Sequence, residues 1–215
     1  EYYALILLSA TGMMLMAAAN DLITVFISLE LVNISMYALV GLLKNKASTE
    51  SALKYLLLSA ISSAVLLYGM ALVFGTTGTT QLTGIFRAIT DFGYGSLVSS
   101  PALLIGIVFM IAGFGFKIAA VPFQMWVPDV YEGAPTTITA YLSVGSKAAG
   151  FAVILRVFLT AFSVHFDETW GIIFAVLAVI SMIVGNVAAI PQTNIKRMLG
   201  YSSIAQAGYI MVGLA

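Results

Sequence analysis

The most constraining feature of this sequence is a succession of apolar runs, most of them about 20 residues long. The runs cover residues 2–19, 22–43, 52–74, 102–121, 136–159, 170–190 and 198–215. About 20 helical residues cross the roughly 30 Å hydrocarbon layer of a membrane. The runs are too long and too uniformly apolar for the alternating strands of a β-barrel. We therefore predict an all-α integral membrane protein, a polytopic bundle of about seven transmembrane helices forming a single domain over residues 1–215.

Composition narrows the chemistry that this chain can perform by itself. Charged residues make up 8% of the sequence, whereas soluble domains contain about 25%. Nine basic and nine acidic residues cancel, which leaves no basic surface for nucleic acid. There is no cysteine and one histidine, His165, which excludes disulfides, iron–sulfur clusters and thiolate metal sites within the chain. We expect no cofactor and no metal in it.

Charged residues outside the apolar runs assign the two faces. Basic residues follow the second and sixth runs, at Lys44, Lys46, Lys196 and Arg197. The other connections carry Asp21, Arg87, Asp91, Asp167 and Glu168. The positive-inside rule predicts that the lysine-rich face is cytoplasmic. In the long connection after the third run, the segment TQLTGIFRAITDFG predicts a short amphipathic helix at the membrane interface.

Three ionisable side chains lie well inside the apolar runs. Glu30, Lys117 and Lys147 belong to the second, fourth and fifth runs. Such groups are costly to bury, and they mark ion or substrate pathways. A structural ion pair between helices is the weaker explanation, because buried pairs contribute little stability. Lysine suits a proton carrier since, away from water, it can exchange its proton near neutral pH, which arginine cannot do.

The fourth run also contains a helix break beside its lysine. Pro122 lacks an N–H group, and its ring collides with the carbonyl four residues earlier, next to Lys117. Pro128 and Asp129 fit the first two positions of a new helix, which is expected to end at about Glu132. We therefore predict one discontinuous helix near residues 117–128. Broken helices in transporters line the ion path, and a plain proline kink is the alternative.

Other polar residues have simpler explanations. Glu50, Asp129 and Glu132 fit carboxylates at helix starts. Lys54 lies close enough to the end of a span to reach the interface with its charged group. It is nevertheless a candidate for a cytoplasmic proton entrance. The candidates for a water path are Lys54, Gln124 and Gln206.

The chain resembles a known family in three strings, SLELVNISMYALVG, FGFKIAAVPFQMWVPDVYEGAPT and NIKRMLGYSSIAQAGY. They are similar to the antiporter-like membrane subunits of respiratory complex I, specifically the subunit N family of NADH:quinone oxidoreductase. The resemblance covers essentially the whole chain. It implies an inverted-repeat fold, with a first repeat at about residues 1–160 and a second from about residue 168 to residue 215. It also implies that Glu30, Lys117 and Lys147 are the central proton-carrying residues.

The resemblance implies a function as well. The chain would be a proton-translocating subunit of this enzyme in a bacterial inner membrane, with an organellar membrane as the alternative. Its partners would be lipid, protons and other complex I membrane subunits. NADH, flavin, iron–sulfur clusters and the quinone site would belong to other subunits of the whole complex. A proton would enter from the cytoplasm near the broken helix, rest on Lys117 or Lys147 and move when the charge of Glu30 changes. A Mrp-type cation/proton antiporter, an energy-converting hydrogenase subunit and a purely structural subunit remain alternatives.

The chain departs from the family pattern at two positions. Gln124 and Gln206 stand where the family often has histidine, in its PFH and SHxGY strings. Glutamine forms hydrogen bonds but does not titrate, so a proton path past these residues requires water. Because the chain begins at Glu1 and ends in an apolar run at Ala215, we interpret it as an internal segment of a longer polytopic protein. A second broken helix is expected beyond Ala215.

Overall fold

The structure of this chain is a computed structural model, which describes residues 1–91, 100–163 and 170–215. His165, Asp167 and Glu168 therefore lie outside the described residues. Every regular element in the described ranges is helical, which confirms the predicted all-α class. The helices are α1 (Tyr2–Ala18), α2 (Leu22–Val40), α3 (Lys46–Thr77), α4 (Leu82–Asp91), α5 (Pro101–Ile118), α6 (Trp126–Gly133), α7 (Thr136–Tyr141), α8 (Lys147–Ala161), α9 (Gly171–Ala189) and α10 (Ile195–Met211).

The helices that cross the membrane follow the predicted apolar runs. In the described ranges, five stretches are long and apolar enough to span: α2, α3, α5, the continuous stretch from α7 through α8, and α9. Helices α1 and α10 have 17 residues each, at the short end of the range for a spanning helix. Their positions match the first and last predicted spans. The chain is thus a polytopic membrane bundle.

Polar side chains fix where several helices begin. An oxygen of Asp21 accepts a hydrogen bond from Thr24 N at 2.9 Å and caps α2. Asn45 caps α3 in the same way, accepting from Ser48 N at 2.8 Å. These caps satisfy backbone donors that have no partner within the helix. The cap at Asn45 lets α3 begin at Lys46, several residues before the apolar run.

The spanning helices pack closely where small residues allow it. The most extensive contacts are between α9 and α10, between α3 and α5, and between α1 and α2. A Cβ atom on Gly69 of α3 would lie 2.7 Å from the carbonyl oxygen of Gly106 on α5. This backbone approach excludes any larger residue, as is typical of helix contacts in membranes. The α3–α5 contact positions the lysine-bearing end of α5.

The short helix α4 lies at the face that carries the α1–α2 connection. It buries Leu82, Ile85 and Ile89 and packs against α8. Its start is joined to that connection by a hydrogen bond from Leu82 N to Asn20 O at 3.0 Å. The predicted amphipathic helix is thereby confirmed for residues 82–91. The opposite face carries the α2–α3 and α9–α10 connections with their lysines.

Candidate functional site

The buried lysine of α5 is held by an amide. Lys117 is 2% exposed, and its Nζ donates to Oδ1 of Asn33 on α2 at 2.8 Å. Nδ2 of Asn33 donates to Oε1 of Glu30 at 3.2 Å. The hydroxyl of Ser63 on α3 donates to the same oxygen of Glu30. Three helices therefore meet in one hydrogen-bonded row of side chains.

The structure brings Glu30 and Lys117 together with Asn33 between them. In the described part of the chain, Lys117 makes no ion pair with a carboxylate. The sequence prediction missed Asn33 and Ser63. One signal was available, because Asn33 follows Glu30 by three residues and so lies on the same helix face. Ser63 gave no such signal, since its partner is on another helix.

The predicted break lies directly after Lys117. Helix α5 ends at Ile118 and α6 begins at Trp126. Ala119 has a φ of 62°, and Ala120 N donates to Gly115 O at 2.8 Å, while Ala119 N donates to Phe116 O at 3.1 Å. This is the Schellman pattern of a helix end, here with alanine where glycine is the common residue. The left-handed alanine costs on the order of 1 kcal/mol, which the surrounding contacts must offset.

Side chains from two other places satisfy the broken backbone. Trp126 Nε1 donates to Phe116 O at 2.9 Å. Val121 N donates to Oγ of Ser181 on α9 at 2.9 Å. Pro122 lies within the break. Helix α6 begins two residues earlier than predicted, so Pro128 is its third residue, where a backbone N–H would still have no helical acceptor. Non-helical backbone at membrane depth is tolerated when its polar groups find partners in this way.

The second buried lysine begins α8, at the end of a π-helical turn over Leu142–Ser146. Lys147 is 6% exposed. Its Nζ donates to the carbonyl oxygen of Ser203 on α10 at 2.6 Å and to Oγ of the same residue at 2.9 Å. Single π-turns inside helices are frequent at functional sites. The sequence offered no signal for this turn.

A cavity of about 580 Å³ lies beside Lys147. Its wall includes Lys147, Tyr131, Ser203 and Gln206, and it extends to Lys196 near the lysine-rich face. The Tyr131 hydroxyl is buried without a hydrogen-bond partner among the described residues, and so is Oγ of Ser146, next to Lys147. Polar groups of this kind are suited to binding water.

The two lysine-bearing turns lie against each other. Gly150 follows Lys147 by one turn of α8, and a Cβ atom there would lie 3.4 Å from Cγ of Lys117 and 2.9 Å from Cγ2 of Ile118. The backbone of α8 therefore passes directly over the stem of Lys117. The structure thus joins Glu30 and Lys117 in one hydrogen-bonded row and packs the helix that begins at Lys147 against the stem of Lys117.

Comparison with known proteins places this geometry in a family. Residues 19–215 match the family described as NADH:quinone oxidoreductase/Mrp antiporter, transmembrane. The chain belongs to this family. The NADH-quinone oxidoreductase subunit N of Desulforamulus reducens is 55% identical over all of this chain and 44% of its own length. The NAD(P)H-quinone oxidoreductase subunit 2 of Synechocystis is 52% identical over all of this chain and 41% of its own. The chain therefore spans less than half the length of these curated relatives.

Solved structures have the same antiporter-family fold. A chain of respiratory complex I from Thermus thermophilus matches with a TM-score of 0.83 and 37% identity, over 99% of this chain and 44% of that one. A chain of the archaeal membrane-bound sulfane sulfur reductase matches with 0.85 and 30%, over 99% and 42%. A chain of the Mrp complex from Dietzia matches with 0.85 and 22%, over 98% and 38%, which shows the fold alone.

The water-path candidates of this antiporter-family chain separate into three places. Gln124 lies in the break, and its Oε1 is buried with no partner among the described residues. Gln206 lines the cavity beside Lys147. Lys54 pairs instead with Glu50 at 2.9 Å and with Asp129 at 3.0 Å. The structure does not bring these three residues together.

Lys54 belongs to an ion-pair network that the sequence prediction missed. Asp129 of α6 also pairs with Arg197 of α10 at 2.6 Å, and Arg197 pairs with Glu132 at 3.1 Å. Burial raises the pKa of Asp129, but hydrogen bonds from Lys54 and Arg197 outweigh it and hold that pKa below its ordinary value. Asp129 does lie in the first turn of α6, as a helix-start carboxylate. Its partners are too distant in sequence to be paired by any local pattern.

The polar side chains in the described ranges of this family member form hydrogen bonds and ion pairs. Among those residues, no group of three or more His, Cys, Asp or Glu side chains is arranged to hold a metal ion. The arrangement is one of proton donors and acceptors: two buried lysines, one carboxylate, an amide and several hydroxyls.

Proposed function

We propose that this chain moves protons across the membrane as part of NADH:quinone oxidoreductase, driven by quinone reduction elsewhere in the complex. The observation that carries the proposal is the row from Glu30 through Asn33 to Lys117, a lysine buried at 2% exposure. Relatives at 50 to 55% identity are named as subunit N of that enzyme. The enzyme's redox chemistry belongs to other subunits, and this chain supplies proton transfer.

The charge of Glu30 is close enough to influence Lys117. One amide and two hydrogen bonds separate Nζ from Oε1, a distance on the order of 7 Å. At an effective dielectric constant near 20, two unit charges at that distance interact by about 2.4 kcal/mol. That changes the proton affinity of Lys117 by a factor of roughly 50. A change in the charge of Glu30 therefore acts as a switch on the proton of Lys117.

The proton route starts on the lysine-rich face, which we assign to the cytoplasm. The cavity that extends from Lys196 to Lys147 contains hydroxyl and amide groups that can order water. The cavity at the break is about 200 Å³ and is bounded mainly by apolar side chains, among them Pro122, Phe123 and Trp126. The cavity beside Lys147 therefore offers water more polar groups than the cavity at the break does. We therefore propose that the proton enters through the cavity beside Lys147 and not at the break.

From Lys147 the proton passes to Lys117 through water between the two side chains, whose helices pack together at Gly150. The chain's partners are lipid and the other membrane subunits of the complex. No cofactor is proposed for the chain itself. The inverted repeat, with its first copy at about residues 1–160, remains a prediction.

The alternative is a Mrp-type cation/proton antiporter or a hydrogenase-type membrane subunit. The observation in favour of the antiporter is the matching family, whose description names the Mrp antiporter beside NADH:quinone oxidoreductase. The higher identity to subunit N sequences favours complex I. Transport that requires sodium ions in membrane vesicles would favour the alternative.

Replacing Lys117 tests the proposal. In the complete complex, Lys117→Met keeps the apolar stem of the side chain and removes the titrating group. We expect normal assembly and a fall in quinone-linked proton pumping on the order of tenfold or more. Lys117→Arg should also fail, because guanidinium stays charged.

The matched control is Lys46→Met, at an exposed lysine that begins α3. It should pump normally. An assembled Lys117→Met complex that pumps like the wild type would show that Lys117 carries no proton.

A further inference from the structure

The side-chain amide of Asn33 forms hydrogen bonds with two ionisable side chains, one through its oxygen and one through its nitrogen. An ammonium has only donors, so it must face the amide oxygen, and the amide NH₂ is then left to face Glu30, which accepts. The observed contacts have this arrangement, at 2.8 Å and 3.2 Å. Asn33 is 2% exposed, so bulk water does not compete for either end. The orientation of the amide is therefore fixed by its neighbours.

An interposed amide gives a different interaction from a contact ion pair. Moving two charges from about 7 Å to about 4 Å strengthens their attraction roughly 1.7-fold at the same dielectric constant. A contact pair would therefore hold the proton of Lys117 more tightly. An amide neither gains nor loses a proton in this pH range, so no proton passes through Asn33 from Lys117 to Glu30.

Building on the proposed function, we propose that Asn33 is a positioning residue that holds Lys117 and Glu30 two hydrogen bonds apart. The two groups then influence each other through their charges alone. Lys117 gives up its proton on the side of Lys147, and Glu30 changes how readily it does so. Asn33 thus separates the switch from the proton route.

The charged and polar groups around Lys117 determine how the pH dependence of pumping can test the role of Asn33. Helix α2 contributes Glu30, through Asn33. Helix α8 contacts the stem of Lys117 at Gly150, and its own Lys147 is bonded to Ser203 of α10. Helix α3 presents hydroxyl groups, with Ser63 on Glu30 and Ser62 donating to Gly113 O at 3.3 Å. Asn33→Leu therefore alters the surroundings of Lys117 without adding a charge, whereas Asn33→Asp places a second carboxylate beside Glu30 as well as against Lys117.

Two substitutions of similar size should have opposite effects on the pH profile of proton pumping. Asn33→Asp places a carboxylate against Lys117, so the ammonium persists to higher pH and the alkaline limb should move up by about one pH unit. Asn33→Leu removes the hydrogen bond, so the alkaline limb should move down by a similar amount. Both should slow pumping at neutral pH, by about tenfold. The assay is quinone-linked pumping by the complete complex in vesicles.

The control is Asn186→Leu, which removes an exposed asparagine of α9 that bonds to Met182 O and to the Tyr209 hydroxyl. It should leave the profile unchanged. If Asn33 only fills space, the alkaline limb should stay in place in both variants or move in the same direction in both. Either result overturns the proposal. If Asn33→Leu fails to assemble, the direction of the Asn33→Asp shift still decides. Normal pumping by Lys117→Met would instead remove the proposed function itself.

Discussion

At the scale of residues, each buried lysine is bonded to neutral oxygen atoms. Lys117 donates to an amide oxygen, and Lys147 donates to a carbonyl and a hydroxyl. In the described part of the chain, neither makes an ion pair with a carboxylate. Hydrogen bonds to charged groups are worth about 1.5–3 kcal/mol, and they stabilise an ammonium without fixing its proton as firmly as a carboxylate would. Such residues can exchange protons.

Substitutions of Gln206 and Gln124 test whether protons enter at the cavity beside Lys147 or at the helix break. Gln206→Leu removes a polar group from the cavity beside Lys147, so we expect proton pumping to fall several-fold, about 3- to 10-fold. Gln124→Leu removes a buried oxygen that has no partner among the described residues, so we expect a change within about twofold and no loss of thermal stability. The measurement is initial pumping rate at equal amounts of assembled complex. A larger loss of pumping in Gln124→Leu than in Gln206→Leu would indicate that protons enter at the break.

At the scale of elements, the contact between α5 and α8 depends on one missing side chain. Gly150 lets the α8 backbone approach Lys117 and Ile118. Gly75, on α3, has nothing within 4 Å of where its Cβ would be. The same substitution should therefore have opposite consequences at the two sites.

We predict that Gly150→Ala lowers the free energy of unfolding by about 1–3 kcal/mol, because Ile118 cannot move away without displacing α5. Pumping should fall as well, since the two lysines are forced apart. Gly75→Ala should be neutral, or stabilising by up to about 1 kcal/mol, because alanine favours helix. Thermal unfolding of the purified protein in detergent compares the two. Equal stability of both variants would mean that α8 does not rest on Lys117.

What the sequence could predict differs between elements. The spans follow from the length of the apolar runs, and the break from Pro122 beside a buried lysine, because both depend on local chemistry. The π-turn before Lys147 could not be predicted, since no residue type requires it. Asn33 was visible as a polar residue on the face of Glu30, but its partner is on a helix 84 residues away.

At the scale of the whole molecule, an ion-pair network ties distant helices together on the lysine-rich face. Asp129 on α6 accepts from Lys54 on α3 and from Arg197 on α10. The partners are separated by 75 and 68 residues, so only the folded topology brings them together. Charge counting could assign this face but could not pair its members. The network holds the short helix that follows the break.

Asp129→Asn should destabilise the bundle modestly. The side chain is 31% exposed, and partly exposed pairs contribute about 0.2–1 kcal/mol each. The pKa of Asp129 lies below its ordinary value of 3.8, so its stabilisation is complete above that pH and is lost as the pH falls through the lower folded value. The difference from wild type should therefore be constant near neutral pH and should shrink in high salt.

Thermal unfolding at neutral pH, with and without 1 M salt added to screen the charges, measures this. The control is Asp91→Asn, at the exposed end of α4 on the opposite face. A salt-independent loss of stability in Asp129→Asn would point to a packing defect in place of the network.

The bond between Val121 N and Ser181 Oγ has a mechanical consequence. Its two residues are 60 positions apart, and within a bilayer a backbone N–H that loses its partner costs several kcal/mol. Residues 119–125 therefore cannot slide along α9 unless Ser181 moves with them or another acceptor arrives. Helix α9 therefore supports the non-helical segment that follows α5. A displacement of α9, wherever it begins, would be transmitted through this hydrogen bond to the chain segment that follows Lys117.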